Sequence, residues 1–433
     1  MRNKYAVLLF VSIVAAMNAQ TPPPDAYKSV AEQYVKLVLA VGQHDADYVD
    51  AFYGPAEWRK EAETAKQSLA EIDTRAAATE KELAGIAFKP DPKDAEMWSL
   101  RKQYLTRQLA ALRSRVAMLQ GKKLTFDQES QALYDAVAPV IPESTFEQVL
   151  KELSAKLPGD GSLIDRYDRF KQSFIIPKNR LDRVFQEAIR GCRGRMPSLN
   201  LPLTERFTVE YVTNKSWSGY NWYQGNFKSL IQVNTDLPIY IDRAIDLACH
   251  EGYPGHHVYN ALLEQNLVKD RGWIEYTVYP LFSPQSLIAE GTANYGIEVA
   301  YPIADRIKFE SDVLFPIAGL DPSKVAEYYG VLALVDRLSY AGNEAARQYL
   351  DGKMDRAAAI TYLEKYAMYT KPRAEQRLKF IEQYRSYVIN YNLGKDLVRA
   401  YVDRRVGRDR SPVKRWREFI ALLESPRLPS GLK

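Results

Sequence analysis

The 433-residue sequence predicts a mainly helical protein carrying one small antiparallel β-sheet. Two patterns support this. Apolar residues recur at steps of three and four through most of the chain, while a short stretch after residue 203 alternates instead. Glycines and prolines mark the change from one pattern to the other. With 46% apolar and 26% charged residues and only two cysteines, the chain can bury a large core and is neither disordered nor a disulfide scaffold.

In chain order, Arg2 and Lys4 precede an apolar run from Ala6 to Met17, and Ala19 is a small residue suited to a cleavage site. Residues 1–19 therefore read as a signal peptide, too short for a comfortable membrane span. No later run is long and apolar enough to cross a bilayer. The expectation is an exported protein, periplasmic or extracellular, with no stable membrane insertion after signal removal. A Pro-rich linker follows at 21–25. Residues 27–39 have helical spacing, and Met97, Leu100, Tyr104, Leu105, Leu109, Leu112, Val116 and Leu119 describe a long amphipathic helix ending at Gly121. The stretch with Leu69, Ile72, Leu83 and Ile86 reads as its antiparallel partner. Residues 20–200 form an N-terminal helical region on this reading. Residues 201–433 form a catalytic region, the two making one continuous globular unit.

Strand grammar begins near 203. Phe207, Val209 and Tyr211 alternate with Thr208 and Glu210, Gly219 and Gly225 punctuate a hairpin, and Lys228 to Asn234 reads as a further strand. That last strand lies either at the edge of the sheet, where an extended peptide could pair with it, or in its middle. From Ile241 the helical spacing returns. The 59 basic and 54 acidic residues are mixed, which argues against a nucleic-acid partner, and the basic run from Arg404 to Arg417 reads as a solvated helix end. Cys192 and Cys249 are expected as buried free thiols, with a single bridge as the alternative.

The chain has four histidines, and three fall in His250-Glu-Gly-Tyr-Pro-Gly-His-His257. A zinc hydrolase needs two imidazoles converging on one ion, a third ligand, and a carboxylate beside the attacking water. The usual HExxH motif places its histidines four apart on one helical face. Here they stand six and seven apart, so an unbroken helix would hold His250 and His257 about 10 Å from each other. Pro254 must break or bulge the helix, and Gly255 permits the return. A two-residue bulge brings in His256 and a three-residue bulge His257. Glu251 is the candidate general base. Glu290, flanked by Gly291 and Ala293 that would let another helix approach closely, is the candidate third ligand. Asn294, one turn on, is placed to orient a histidine. His44 is remote in sequence. A capped, broken helix without metal is the plainer alternative for the cluster.

HEGYPGHH followed by AEGTANYG resembles the bacterial domain-of-unknown-function 885 family, grouped with the gluzincin-type metallopeptidases. DADYVDAFYGPAEW, LIQVNTDLP and FIALLESPRLPSGL extend the resemblance over nearly the whole mature chain. It departs from the family pattern at Val258-Tyr259-Asn260, where members often carry a glutamine, and at Thr292, where they often carry a tryptophan. The resemblance implies a helical zincin-like metallohydrolase with its sheet beside the metal helix, and Zn2+ as cofactor. It also points to Tyr391, within a YxxG element, as an oxyanion donor; Arg385 and Tyr387 lie nearby. The expected activity is hydrolysis of a peptide or small amide substrate. The alternatives are a zinc hydrolase of a non-peptide amide or ester, and a non-catalytic exported metal- or ligand-binding protein.

Overall fold

A computed structural model describes residues 25–87 and 90–433, so the signal-peptide segment lies outside the described residues. The chain is mainly helical with a small sheet beside the histidine segment, as the sequence predicts. No helix among the described residues is long and apolar enough to cross a membrane.

The N-terminal helices follow their local signals. Ser68 and Thr125 each open a helix with a reciprocal capping box, to Glu71 and Gln128. Helix Ala95–Leu119 buries Leu100, Tyr104, Leu105, Leu109, Leu112 and Val116, and the chain turns away at Gly121 with φ +97°. Leu69–Gly85 packs against it, with helix Lys28–Val41 alongside. One contiguous cluster of buried apolar side chains runs from Tyr27 to Leu432. Within it the fully buried Arg101 forks onto Glu275 (2.6 and 3.0 Å) and reaches Asp25 (2.7 Å), tying the N-terminal helices to the segment before Val278.

Two departures from the sequence reading matter for the site. The region before residue 200 is not wholly helical: strand β1, Val49–Phe52, pairs antiparallel with a strand at Val278–Pro280. Four residues are too few to display alternation, and the partner is more than two hundred residues away. The main sheet has three strands, β2 (Arg206–Val212), β3 (Gly219–Gly225) and β4 (Lys228–Asn234), in the order β2-β4-β3. β3 and β4 form the expected antiparallel hairpin, but β2 runs parallel to β4. β4 is thus the central strand and has no free edge. β2 and β3 are the edge strands, and β3 is the one that lines the cleft.

The cysteines also differ from expectation. Cys192, on helix Leu181–Arg195, is bonded to Cys249, the residue before His250. Both lie on buried apolar helix faces, which read alike for a thiol and for a half-cystine; only the tertiary packing brings their Cα atoms to 5.7 Å. The bridge closes a separation of 57 residues. By the chain-entropy argument, replacing both cysteines with alanine should lower unfolding stability by about 4 kcal/mol. Denaturant titration of oxidised wild type against the double variant checks this; equal midpoints would show that the bridge contributes nothing.

Candidate metal centre

The histidine segment breaks as Pro254 requires. Helix Asp242–Leu247 runs into a widened turn at Ala248–Gly252, and a new helix, His256–Leu263, begins after the cis Tyr253–Pro254 bond. The amide of Tyr253 bonds back to Ala248 O (3.1 Å) and that of Gly255 to Cys249 O (2.9 Å), so extra residues are looped out while the hydrogen bonding continues. Gly255 is required by proximity rather than by a left-handed conformation: a Cβ there would stand 1.8 Å from His250 O.

The loop brings His256, not His257, to His250. Their Nε2 atoms are 3.1 Å apart. Glu290 Oε2 lies 3.2 Å from His250 Nε2 and 3.7 Å from His256 Nε2. The three residues form a group whose ligand atoms all lie within 4.8 Å of one another. His257 is excluded from it. Its ring is fully buried against the sheet, with Nδ1 at 2.8 Å from Ser229 Oγ and Nε2 at 2.6 Å from Glu205 Oε1. Tyr253 donates to the same Glu205 oxygen (2.6 Å) and Arg193 pairs with the other (3.2 Å). Burial alone would raise the Glu205 carboxyl, but these partners hold it below the ordinary value. His257 therefore buttresses the loop. His44 is remote too, its ring on the Gln67 carbonyl (2.6 Å).

A metal fits this donor set. Glu290 Oε1 accepts from the Tyr387 hydroxyl (2.7 Å), whereas Oε2 is buried and has no hydrogen-bond partner among the described residues. Asn294 Nδ2 donates to Tyr391 O (3.1 Å), which turns Oδ1 towards His250 Nδ1 (3.1 Å). His250 thus carries its proton on Nδ1 and presents the Nε2 lone pair to Glu290 and His256. Three converging basic atoms call for positive charge between them, which a metal ion or a proton can supply. Burial would lower the His256 imidazole, but Glu290, Glu251 and Asp50 raise it to about 9; burial would raise Glu290, but the two histidines hold it far below the usual carboxylate range. Both directions show that the group favours positive charge at this point. Asn294→Ala should weaken metal binding by about 10- to 100-fold by freeing the His250 ring, read by competition with a chromophoric chelator. Unaltered affinity would remove the orienting role.

The helices that carry these groups touch at backbone distance. Gly291, on helix Pro284–Ala300, faces Gly394 on helix Ile389–Val406, and a Cβ on Gly291 would fall 2.5 Å from the Gly394 carbonyl. The close approach expected at Gly291 is therefore real. It sets Glu290 beside Tyr387 and Asn294 beside Tyr391.

Glu251 is buried next to the group. Its backbone carbonyl accepts from Asn221 Nδ2 (2.7 Å) on β3, and Oε1 lies where a Cβ on Gly219 would come within 2.8 Å. Burial raises its carboxyl, against lowering by His250 and His256. A cleft of about 1010 Å³ opens over these residues, lined by β3, by helix Lys371–Tyr384 and by Tyr387 and Tyr391. Sequence reasoning missed Asp50, on β1, which lines the cleft, accepts from the Tyr220 hydroxyl and is raised to about 6 mainly by burial. Its one signal was its place in the DADYVDAFYGP segment. Tyr391 does line the cleft, but Tyr387 is the tyrosine bonded to Glu290; Arg385 points elsewhere, onto Glu129 (2.7 Å).

No family model matches the chain, and no curated protein matches it in sequence. Among solved structures it is similar to a protein assigned as a lipoprotein from Colwellia psychrerythraea (14% identity, TM-score 0.49, covering 94% of this chain and 74% of that one). It is also similar to the structure named BsuCP (12%, 0.45, 92% and 88%) and to metallocarboxypeptidase 1 of Trypanosoma cruzi (14%, 0.35, 92% and 90%). At such identities and scores these likenesses carry no functional argument.

Proposed function

We propose that the chain is an exported zinc-dependent hydrolase of peptide bonds, in keeping with its resemblance to the 885 family. The observation that supports this best is the meeting of His250 Nε2, His256 Nε2 and the unbonded Glu290 Oε2 at the floor of a cleft, with the Glu251 carboxyl alongside. Two imidazoles and one carboxylate suit zinc better than magnesium or calcium, which prefer all-oxygen sites. When bound, zinc supplies Lewis acidity to a carbonyl and acidifies water.

The protein's own groups do the rest. Glu251 takes the proton from the attacking water as its oxygen bonds to the scissile carbonyl carbon, and passes it to the leaving nitrogen as the C–N bond breaks. Its raised carboxyl brings it nearer to neutral pH, where such a base works best. Asn294 and Tyr387 hold His250 and Glu290 in place. Edge strand β3 offers an extended substrate a pairing partner along the cleft. The Cys192–Cys249 bridge accords with an oxidising, exported setting.

Metal analysis of purified mature protein, joined to a peptide-library cleavage assay read by mass spectrometry, tests the reading. About one zinc per chain and cleavage lost to a chelator and restored by zinc are expected. Metal-free protein that cleaves, or zinc-loaded protein that cleaves nothing, counts against it.

A further inference from the structure

Three of the seven lysine and arginine side chains lining the cleft have carboxylate partners, while Lys171, Arg373, Arg377 and Arg415 have none among the described residues. Arg243 pairs with Asp246 (3.1 Å), Arg306 with Asp246 (2.7 Å) and Glu310 (3.0 Å), and Lys395 with Asp336 (3.4 Å). Helix Lys371–Tyr384 carries two of those four. It turns Arg373, Gln376, Arg377, Phe380 and Tyr384 to the cleft, positions spaced three and four apart along one face. Among the described residues Arg377 meets no carboxylate, and its Nε is buried with no hydrogen-bond acceptor. Its guanidinium lies against two rings instead, 4.9 Å from the centre of Phe380 and 5.8 Å from that of Tyr391. Tyr391 is in turn 5.9 Å from Tyr387, whose hydroxyl holds Glu290.

A half-buried guanidinium, fixed by aromatic faces and lacking an anion, is a built receptor for a planar carboxylate. Through Tyr391 and Tyr387 the guanidinium is joined to the Glu290 side of the metal group. We infer that Arg377 receives the C-terminal carboxylate of the substrate, so that the cleft selects peptides with a free C-terminus and cuts near that end. This rests on the hydrolase reading and adds the substrate class to it. Arg373 lines the same cleft but, among the described residues, shares neither ring contact that fixes Arg377, so it serves as the control.

The test separates recognition from turnover. A pool of N-acetylated tripeptides is made once as free acids and once as C-terminal amides. Binding to zinc-loaded Glu251→Gln protein is read by affinity selection, and cleavage by wild type by mass spectrometry. The acids should bind about 10- to 100-fold tighter than the amides, the worth of a charge-assisted hydrogen-bonded pair. Adding Arg377→Gln should bring the ratio below about threefold by weakening acid binding; Arg377→Lys should restore part of it, and Arg373→Gln should keep it. Equal binding of acids and amides, no binding of either, or loss of the preference in Arg373→Gln instead would overturn the inference. Preserved acid preference without any cleavage by wild type would leave the recognition standing and sink the hydrolase reading.

Discussion

Glu251→Gln is expected to keep its zinc and lose hydrolysis by about two to four orders of magnitude, the usual worth of a positioned general base. The substitution is nearly isosteric. The Asn221 bond to the residue 251 carbonyl is made by the backbone and survives, and Gly219 still leaves room for the side-chain head. None of the three converging donor atoms belongs to residue 251. The loss should therefore fall on kcat, with little change in metal stoichiometry or melting temperature. Rate and zinc content measured on one preparation decide the matter. A site that only stores or captures metal would show no change in any hydrolytic rate, and unchanged turnover would falsify the role assigned to Glu251.

The second large effect is a contrast between adjacent residues. His256→Ala should drop bound zinc from about one per chain to a small fraction, because two donors cannot hold the ion as three do. His257→Ala should keep its zinc and instead lose about 3 kcal/mol of stability. It strips Glu205, a largely buried carboxylate, of a 2.6 Å partner and leaves Ser229 facing an empty space. Metal analysis beside denaturant titration reads both variants. If His257→Ala empties the site while His256→Ala does not, the placement of the loop is wrong.

Much of the fold could be read in advance because its signals are local. The three- and four-step spacing across 97–119, the stop at Gly121 and the alternation through Phe207, Val209 and Tyr211 each depend on a few neighbouring residues. Glu290 and Asn294 were likewise readable, one helical turn apart on a segment of small residues. The rest depends on partners distant in sequence. Strand β1 exists because Val278–Pro280 lies beside it. Cys192 meets Cys249 only after two helices have docked. The choice between His256 and His257 turns on how many residues the loop leaves out, and Glu205, which claims His257, gives no sign of that in the linear sequence. Arg377 looks like any other arginine of a charged helix until its missing partner is seen.

The loop at Pro254 and Gly255 has a further consequence. Striking these two residues from the sequence leaves His250-Glu251-Gly252-Tyr253-His256, which is the ordinary HExxH spacing. The present motif thus differs from the standard zinc helix by two residues, and the loop holds the extra residues out of the line of the ligands. Distance counted along the chain and distance in space have come apart here. A lineage could cross between the two spellings in a single step, keeping the same chemistry while its signature changed beyond recognition by residue counting.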